Sequence, residues 1–275
     1  MIGVRRAVIT AVAAGTVLLG GCGGSEPAAT PTPTPPAHAS AVPNPADRAC
    51  YRLSYADAVA PTAPSAQAVA STAVSCAKGH TSETFYVGAL SDVVDGHLVA
   101  VDSTRIQRQS ARTCPAKLSA YLGGSVEDLR LSMLRAVWFT PTVADSETGA
   151  AWLRCDVIAV AGKEKLATVT GSLKGSLASG AGAEAMCGTA APSATGFERV
   201  PCAQKHTWKA LKVVTIAGEK YPGTDAAKAA GQTICKNEGK AVASNALDYS
   251  WSYEWPTAEQ WDAGQTYGIC WAPQA

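Results

Sequence analysis

The sequence has few charged residues and no concentration of positive charge. Asp, Glu, Lys and Arg make up 16% of its 275 residues, and the formal net charge is +1. Lysine and arginine are scattered rather than gathered in a basic stripe, so the electrostatic footprint that phosphate backbones require is missing. The composition therefore predicts a protein without a nucleic-acid partner.

Motifs that identify the common enzyme classes are also missing. The sequence contains no Gly-x-Ser-x-Gly elbow, no Walker loop, no His-Glu-x-x-His helix and no Gly-x-Gly-x-x-Gly after a strand. Acidic residues such as Glu83, Asp156 and Glu254 are not placed as a pair that supports a glycosidase. We therefore expect no catalytic residue, no bound cofactor and no metal.

The first 22 residues have the pattern of an export signal. Arg5 and Arg6 precede a short apolar run over residues 7–19, and Leu-Gly-Gly-Cys22 ends it. The run is shorter than the about 20 apolar residues that a spanning helix needs. Its ending resembles a bacterial lipobox, in which Cys22 carries the lipid, whereas the alternative is an ordinary secretory signal with a coincidental cysteine. We predict a signal peptide over 1–22 and lipid anchoring at the outer face of the cytoplasmic membrane.

A spacer follows the predicted lipidation site. Residues 23–47 are rich in proline, threonine and alanine and have almost no large apolar side chains. Such a segment cannot bury enough surface to fold, and its prolines favour an extended, semi-rigid chain. We expect this tether to hold the folded part off the membrane.

The remaining cysteines predict a disulfide framework. Nine cysteines leave an even number, eight, when Cys22 is set aside, and an exported chain favours oxidised pairs. The four in each half allow three pairings, which the sequence alone does not decide. Bonds that close short local loops are our hypothesis: Cys50–Cys76, Cys114–Cys155, Cys187–Cys202 and Cys235–Cys270.

Two parts of the chain are copies of one unit. Residues 141–155 align without a gap with residues 256–270, sharing a Pro-Thr start, a glycine and a final cysteine. We therefore divide the folded chain into a first repeat over 48–161 and a second over 162–275. Residues 162–186 are rich in Gly, Ser, Ala and Lys and are interpreted as a linker or entry to the second repeat.

The order of patterns within each repeat predicts its fold. A strand, a helix, a strand, a turn and a closing strand follow one another, which indicates an α+β fold with two tandem disulfide-stapled units, each a small antiparallel sheet with one main helix. The first helix is predicted to be capped by Ser103 or Thr104 and to end at Gly123-Gly124. Its core face is predicted from residues four apart: Ile106, Ser110, Cys114, Leu118 and Leu122.

Both repeats contain Cys-x-x-x-His-Thr, ending in His80-Thr81 and His206-Thr207. Cysteine and histidine are zinc ligands, but each repeat offers one such histidine and no paired knuckle. A cysteine nucleophile needs a free thiol, which an even disulfide framework would consume. We favour a structural reading, in which each histidine is fixed beside a disulfide by a hydrogen bond to the backbone.

Aromatic residues near the second turn provide a candidate binding surface. Trp255 and Trp261 flank this turn, where flat rings can stack on a glycan or a proline-rich peptide. Aromatic side chains at strand positions more often lie in the core. His80, His206, Trp255 and Trp261 are therefore the residues of a possible binding surface.

The combined pattern resembles the septum formation family of actinobacterial surface proteins. The resemblance rests on Cys-Tyr-Arg-Leu at residue 50, the Cys-x-x-x-His-Thr motifs, Arg-Thr-Cys114-Pro, Trp138-Phe-Thr-Pro-Thr and the Trp255-Pro-Thr to Cys270 ending, and it covers residues 48–273. It implies a role in division-septum or envelope processes and supplies no catalytic residues. Ser146 stands where the second repeat has Trp261, so the two repeats do not share an aromatic residue at this position.

Three functional hypotheses follow. The leading one is a non-enzymatic lipoprotein that binds a cell-wall component or an envelope protein. The second is an enzyme acting on the wall, with His80 or His206 as the acid or base. The third is a purely structural envelope scaffold.

Overall fold

The computed structural model describes residues 43–59 and 72–274. Helices and antiparallel sheets are combined, which confirms the predicted α+β class. Cys22, the predicted signal peptide and most of the predicted tether lie outside the described residues. Among the described residues, no helix has both the length and the apolar character needed to cross a membrane.

The strands of the first sheet are β1 (Cys50–Tyr51), β2 (Ser82–Ala89), β5 (Leu134–Phe139), β6 (Trp152–Gly162) and β7 (Lys165–Leu166). The sheet is antiparallel and has the strand order β1-β2-β6-β5, with β7 paired to β6. A separate hairpin is formed by β3 (Val93–Val94) and β4 (His97–Leu98).

The strands of the second sheet are β8 (Met186–Gly188), β9 (Arg199–Pro201), β10 (Trp208–Thr215), β11 (Ser252–Glu254) and β12 (Tyr267–Pro273). Its order is β11-β12-β10-β8-β9, in which β11, β12, β10 and β8 correspond to β5, β6, β2 and β1 of the first sheet, and β9 is added beside β8. The register is also repeated, since Trp138 faces Cys155 in the first sheet as Tyr253 faces Cys270 in the second.

One long helix packs on each sheet. The helices are α1 (Tyr55–Val59), α2 (Thr104–Leu122), α3 (Val126–Arg130), α4 (Val143–Glu147), α5 (Thr224–Val242) and α6 (Ala258–Asp262). Helix α2 is capped by the Ser103 side chain, ends at Gly123 with φ 75°, and buries the predicted face, which confirms the four-residue period. Helix α5 buries Gly231 against the Tyr253 ring, where a Cβ atom would lie 2.2 Å from the ring.

Four disulfides staple these elements, and they are the four pairs of the short-loop hypothesis. Cys114 joins α2 to Cys155 on β6, and Cys235 joins α5 to Cys270 on β12. All four of these cysteines are fully buried. Each long helix is therefore fixed covalently to the central strand region of its sheet.

The segment interpreted as a linker packs onto the first sheet. Leu173 and Leu177 are buried in the core cluster between α2 and that sheet, and Val169 exchanges backbone hydrogen bonds with His80. The second sheet's own strands begin only at Met186. Met186 shares a buried cluster with Met133, which comes from the first half of the chain, so the two sheets have apolar contacts in common.

Candidate functional site

The histidines of the two Cys-x-x-x-His-Thr motifs make the same local contact. The Nδ1 atom of His80 lies 3.0 Å from the carbonyl oxygen of Lys78, and that of His206 lies 2.7 Å from the carbonyl oxygen of Gln204. The threonine that follows donates its N–H to the first strand of the same sheet, at Tyr51 in one case and Gly188 in the other. This repeated geometry supports the structural reading of both histidines.

His80 differs from His206 in its burial. Its side chain is 1% exposed, and its Nε2 atom has no hydrogen-bond partner in the described part of the chain. A histidine on a binding surface must be able to reach a ligand. The prediction of His80 as a surface residue is wrong because its side chain is buried within 4.8 Å of the Cys50 sulfur. Its backbone exchanges hydrogen bonds with Val169 of the 162–181 segment. His206 is half-buried and remains accessible.

Beside His80 lies a group of atoms that could be mistaken for a metal site. The side-chain ligand atoms of Cys50, His80 and Glu83 all lie within 4.8 Å of one another. Cys50 is bonded to Cys76 and offers no thiolate, so two ligands remain where zinc commonly takes four. The arrangement therefore does not favour zinc.

Glu83 has a structural use that accounts for its burial. Its carboxylate accepts hydrogen bonds from the Tyr121 hydroxyl at 2.6 Å, the Ser172 hydroxyl at 2.5 Å and the Leu173 N–H at 2.6 Å. Burial, together with the bond to Glu83, raises the pKa of Tyr121 to about 12. Glu83 thereby ties helix α2 and the 172–173 segment to strand β2.

Trp261 is a core residue, so its prediction as part of a binding surface is wrong. Its side chain is 5% exposed and packs with Ile216 and Ala227. The physical reason is the short helix α6, which starts at a capping box between Thr257 and Gln260 and turns the next residue inward.

The first sheet has the same turn with a smaller buried side chain. Thr142 and Asp145 form an equivalent capping box at helix α4, and Ser146 is buried at the position of Trp261. Gly149 and Gly264 end the two turns with φ values of 99° and 97°, a conformation that glycine adopts without strain. The two turns therefore follow the same backbone path but bury side chains of different size.

Trp255 lies at the edge of this packing and is partly buried. Its ring is 6.1 Å from the Tyr253 ring, and the Lys228 Nζ atom lies 5.4 Å over it. Tyr221 is also partly buried, and its ring makes an edge contact with the Trp261 ring at a centroid distance of 6.0 Å. We call Tyr221, Lys228 and Trp255 the aromatic surface.

The first sheet has no counterpart of the aromatic surface among the described residues. The position of Trp255 is occupied by Thr140, a buried residue whose hydroxyl has no partner in the described part of the chain. The opposite charges of Arg154 and Asp156 take the positions of Ile269 and Trp271 in the second sheet. The two sheets therefore differ in chemistry at corresponding positions.

This buried ion pair is the most unusual feature of the first sheet. Arg154 and Asp156 are 2% and 0% exposed, and their Nε and Oδ1 atoms are 3.0 Å apart, although the pair is not aligned as a hydrogen bond. The hydroxyls of Ser82 and Thr84 each donate to Asp156 at 2.7 Å. Burial raises the pKa of the Asp156 carboxyl, and the Arg154 charge and the two hydroxyls oppose that rise.

The Arg154 guanidinium also lies between two aromatic rings. Its central carbon is 4.1 Å from the Phe139 ring centre and 4.4 Å from that of Tyr51. Cation–π attraction of this kind strengthens when water is excluded. The ion pair between Arg154 and Asp156 therefore helps to organise the buried face of the sheet.

A basic cleft on helix α2 was missed by the sequence analysis. Arg105, Arg108 and Arg112 are all exposed and line a cleft of about 670 Å³ beside Ser91. Their spacing of three and four residues places them on one helix face. This spacing is visible in the sequence and could have indicated the cleft. The description of lysine and arginine as scattered along the chain is therefore wrong for this helix.

The disulfide framework and the two stapled sheets define a disulfide-bonded α+β protein. The model of the septum formation family matches residues 59–270, and the chain belongs to this family. It is thus a cell-division-related surface protein, and its disulfides agree with an extracytoplasmic location. No curated protein and no solved structure matches the chain significantly.

Proposed function

We propose that the protein is a lipid-anchored, non-enzymatic member of the septum formation family that binds a cell-envelope component at the aromatic surface. Cys22 provides the anchor at the outer face of the cytoplasmic membrane. The equivalent backbone bonds of His80 and His206 support structural roles for both histidines rather than roles as acid or base.

The observation that carries this proposal is that the Trp255 ring is partly exposed while it packs against Tyr253. This partly exposed tryptophan ring packs against Tyr253 and is flanked by Lys228, so it offers an aromatic face and a cation. Rings of this kind stack on sugars, and tryptophan is enriched among the residues that dominate binding energy. A wall glycan is the envelope component that this surface fits.

Trp255→Ala should weaken binding to purified cell walls at least about tenfold, because the stacking face is lost. Co-sedimentation measures the affinity, and complementation of a deletion strain measures the function. Trp208→Ala is the matched control, since Trp208 is also a half-buried tryptophan of the second sheet but packs in another cluster. Thermal melting verifies that both variants fold.

The same assays separate the competing functions. If the partner is an envelope protein rather than the wall, the wild-type protein should complement the deletion strain but should not co-sediment with purified cell walls. His206→Ala should complement fully, whereas an enzyme that uses this histidine would lose function. Equal losses in Trp255→Ala and Trp208→Ala would contradict a binding role for the aromatic surface.

Cys22→Ser should release the protein from the membrane into the culture medium, because a single thiol carries the proposed anchor. Immunoblots of the membrane and medium fractions measure the distribution. Serine elsewhere in the predicted tether, as in Ala28→Ser, provides the control. Unchanged membrane retention of Cys22→Ser would contradict the lipid anchor.

A further inference from the structure

The cleft on helix α2 is lined by hydrogen-bond donors and by no acidic residue. Its lining consists of three arginines together with Ser91, Thr104, Gln109 and Thr113. Within the described ranges, none of the three guanidinium groups lies in an ion pair with a carboxylate. Three positive charges thus face one open space without a protein counter-charge.

This arrangement does not serve the stability of the helix. Arg105 lies in the first turn of α2, where a positive charge is unfavourable to the helix dipole, and the helix has no acidic residue in that turn. Arginines three and four residues apart also repel one another. A negative ligand in the cleft would relieve both effects.

The equivalent helix of the second sheet shows the ordinary pattern. Helix α5 carries Asp225 in its first turn and includes Glu238 among its lysines. Helix α2, of the same length, includes four basic residues and no acidic one. The positive face is therefore specific to the first sheet rather than a requirement of the shared frame.

Neighbouring groups fix the wall of the cleft. The Ser91 N–H donates to the Gln109 Oε1 atom at 3.3 Å, which links the loop after β2 to the helix. The nearest acids along the chain are Asp92, which is buried, and Asp102, which is exposed before the helix cap. Neither belongs to the lining of the cleft.

We propose that the cleft lined by Arg105, Arg108 and Arg112 binds the phosphate group of an envelope phosphate ester. A guanidinium matches two phosphate oxygens at once, and the hydroxyls of Ser91, Thr104 and Thr113 provide further donors. The volume of about 670 Å³ exceeds that of a lone phosphate and leaves room for an attached glycerol or sugar. This site is on a different helix and sheet from the aromatic surface, so it does not rest on the function proposed there.

The test uses the exported chain with Cys22→Ser, so that no acyl group contributes to membrane binding. Glycerol 1-phosphate is titrated while the arginine Nε–H signals are followed by NMR, with glutarate as a carboxylate probe. Vesicles of phosphatidylglycerol and phosphatidylcholine, and of phosphatidylcholine alone, are compared by flotation. The soluble probe reports a free or polymeric ester as the source, and the vesicles report a lipid headgroup.

We expect glycerol 1-phosphate or the phosphatidylglycerol vesicles to bind and glutarate to bind more weakly. The variant R105Q/R108Q/R112Q should bind at least about tenfold more weakly, since three charge-assisted contacts are lost. The control K174Q/K205Q/K236Q removes the same net charge from exposed, dispersed lysines and should bind as the parent does. Trp255→Ala should also retain phosphate binding, which separates this site from the aromatic surface.

Three results would overturn the proposal. One is the absence of binding to both the soluble ester and the anionic vesicles. Another is an equal loss in the arginine and lysine triple variants, which would mean non-specific attraction. The third is binding of a single-stranded oligonucleotide that glycerol 1-phosphate does not displace, which would indicate recognition of nucleic acid instead.

Discussion

Asp156→Ala should lower the free energy of unfolding by about 3–5 kcal/mol, because it leaves the Arg154 charge buried without a partner. The hydroxyls of Ser82 and Thr84 would lose their acceptor as well, and unsatisfied buried groups add to the cost. Urea denaturation followed by tryptophan fluorescence measures the change. An effect as small as that of a surface substitution would show that the ion pair does not hold this face together.

The second sheet supplies the control for this experiment. Ile269 and Trp271 are buried at the positions that correspond to Arg154 and Asp156, so this frame accepts apolar residues there. The double variant Arg154→Ile/Asp156→Leu should therefore recover much of the stability lost in Asp156→Ala. A double variant less stable than the single one would mean that the pair is needed for more than charge balance.

Removing the disulfide between Cys114 and Cys155 should cost about 4 kcal/mol of unfolding free energy. The bond closes a loop with a sequence separation of 41 residues, and both cysteines are fully buried. Cys114→Ala/Cys155→Ala frees helix α2 from strand β6 and also removes sulfur atoms from a packed core. Chemical denaturation of the wild-type protein and of the double variant, both with their remaining cysteines oxidised, measures the difference in unfolding free energy.

Cys187→Ala/Cys202→Ala is the matched control for that prediction. Its bond closes a shorter loop, with a separation of 15 residues, and Cys202 is partly exposed. The expected loss is about 3 kcal/mol, smaller than for the core bond. If the short-loop variant were the less stable of the two, loop length and burial would not govern the contribution of these bonds.

The sequence contained enough information to predict the framework of this fold. An even cysteine count in an exported chain predicted disulfides, and the four-residue period of helix α2 placed Cys114 in the core. Both signals are local, because a helix buries one face and because closing a short loop between two cysteines costs little entropy. The repeated Pro-Thr turns were also visible, because capping residues are specific in type and spacing.

Long-range packing was not visible in the same way. Leu173 and Leu177 lie in a segment of turns without helical or strand periodicity, so nothing in the sequence showed that they pack on the first sheet. Trp261 was placed correctly beside a turn, but the direction of its side chain depends on how the short helix docks.

The basic cleft was missed for a different reason. Counts of lysine and arginine over the whole chain average out a local concentration of charge. The arginines of helix α2 lie together on one exposed face, and the position of that face follows from the buried face that contains Ile106 and Cys114. A charge count made separately for each predicted helix face would have found this cleft.

The order of the disulfides along the chain has a consequence for biogenesis. Each bond joins one cysteine to the next in sequence, so no bond encloses or crosses another. A chain that emerges from the membrane amino terminus first therefore presents both partners of one bond before either partner of the next. Oxidation of the cysteines in their order of emergence would give the native pairing directly, without reshuffling of bonds.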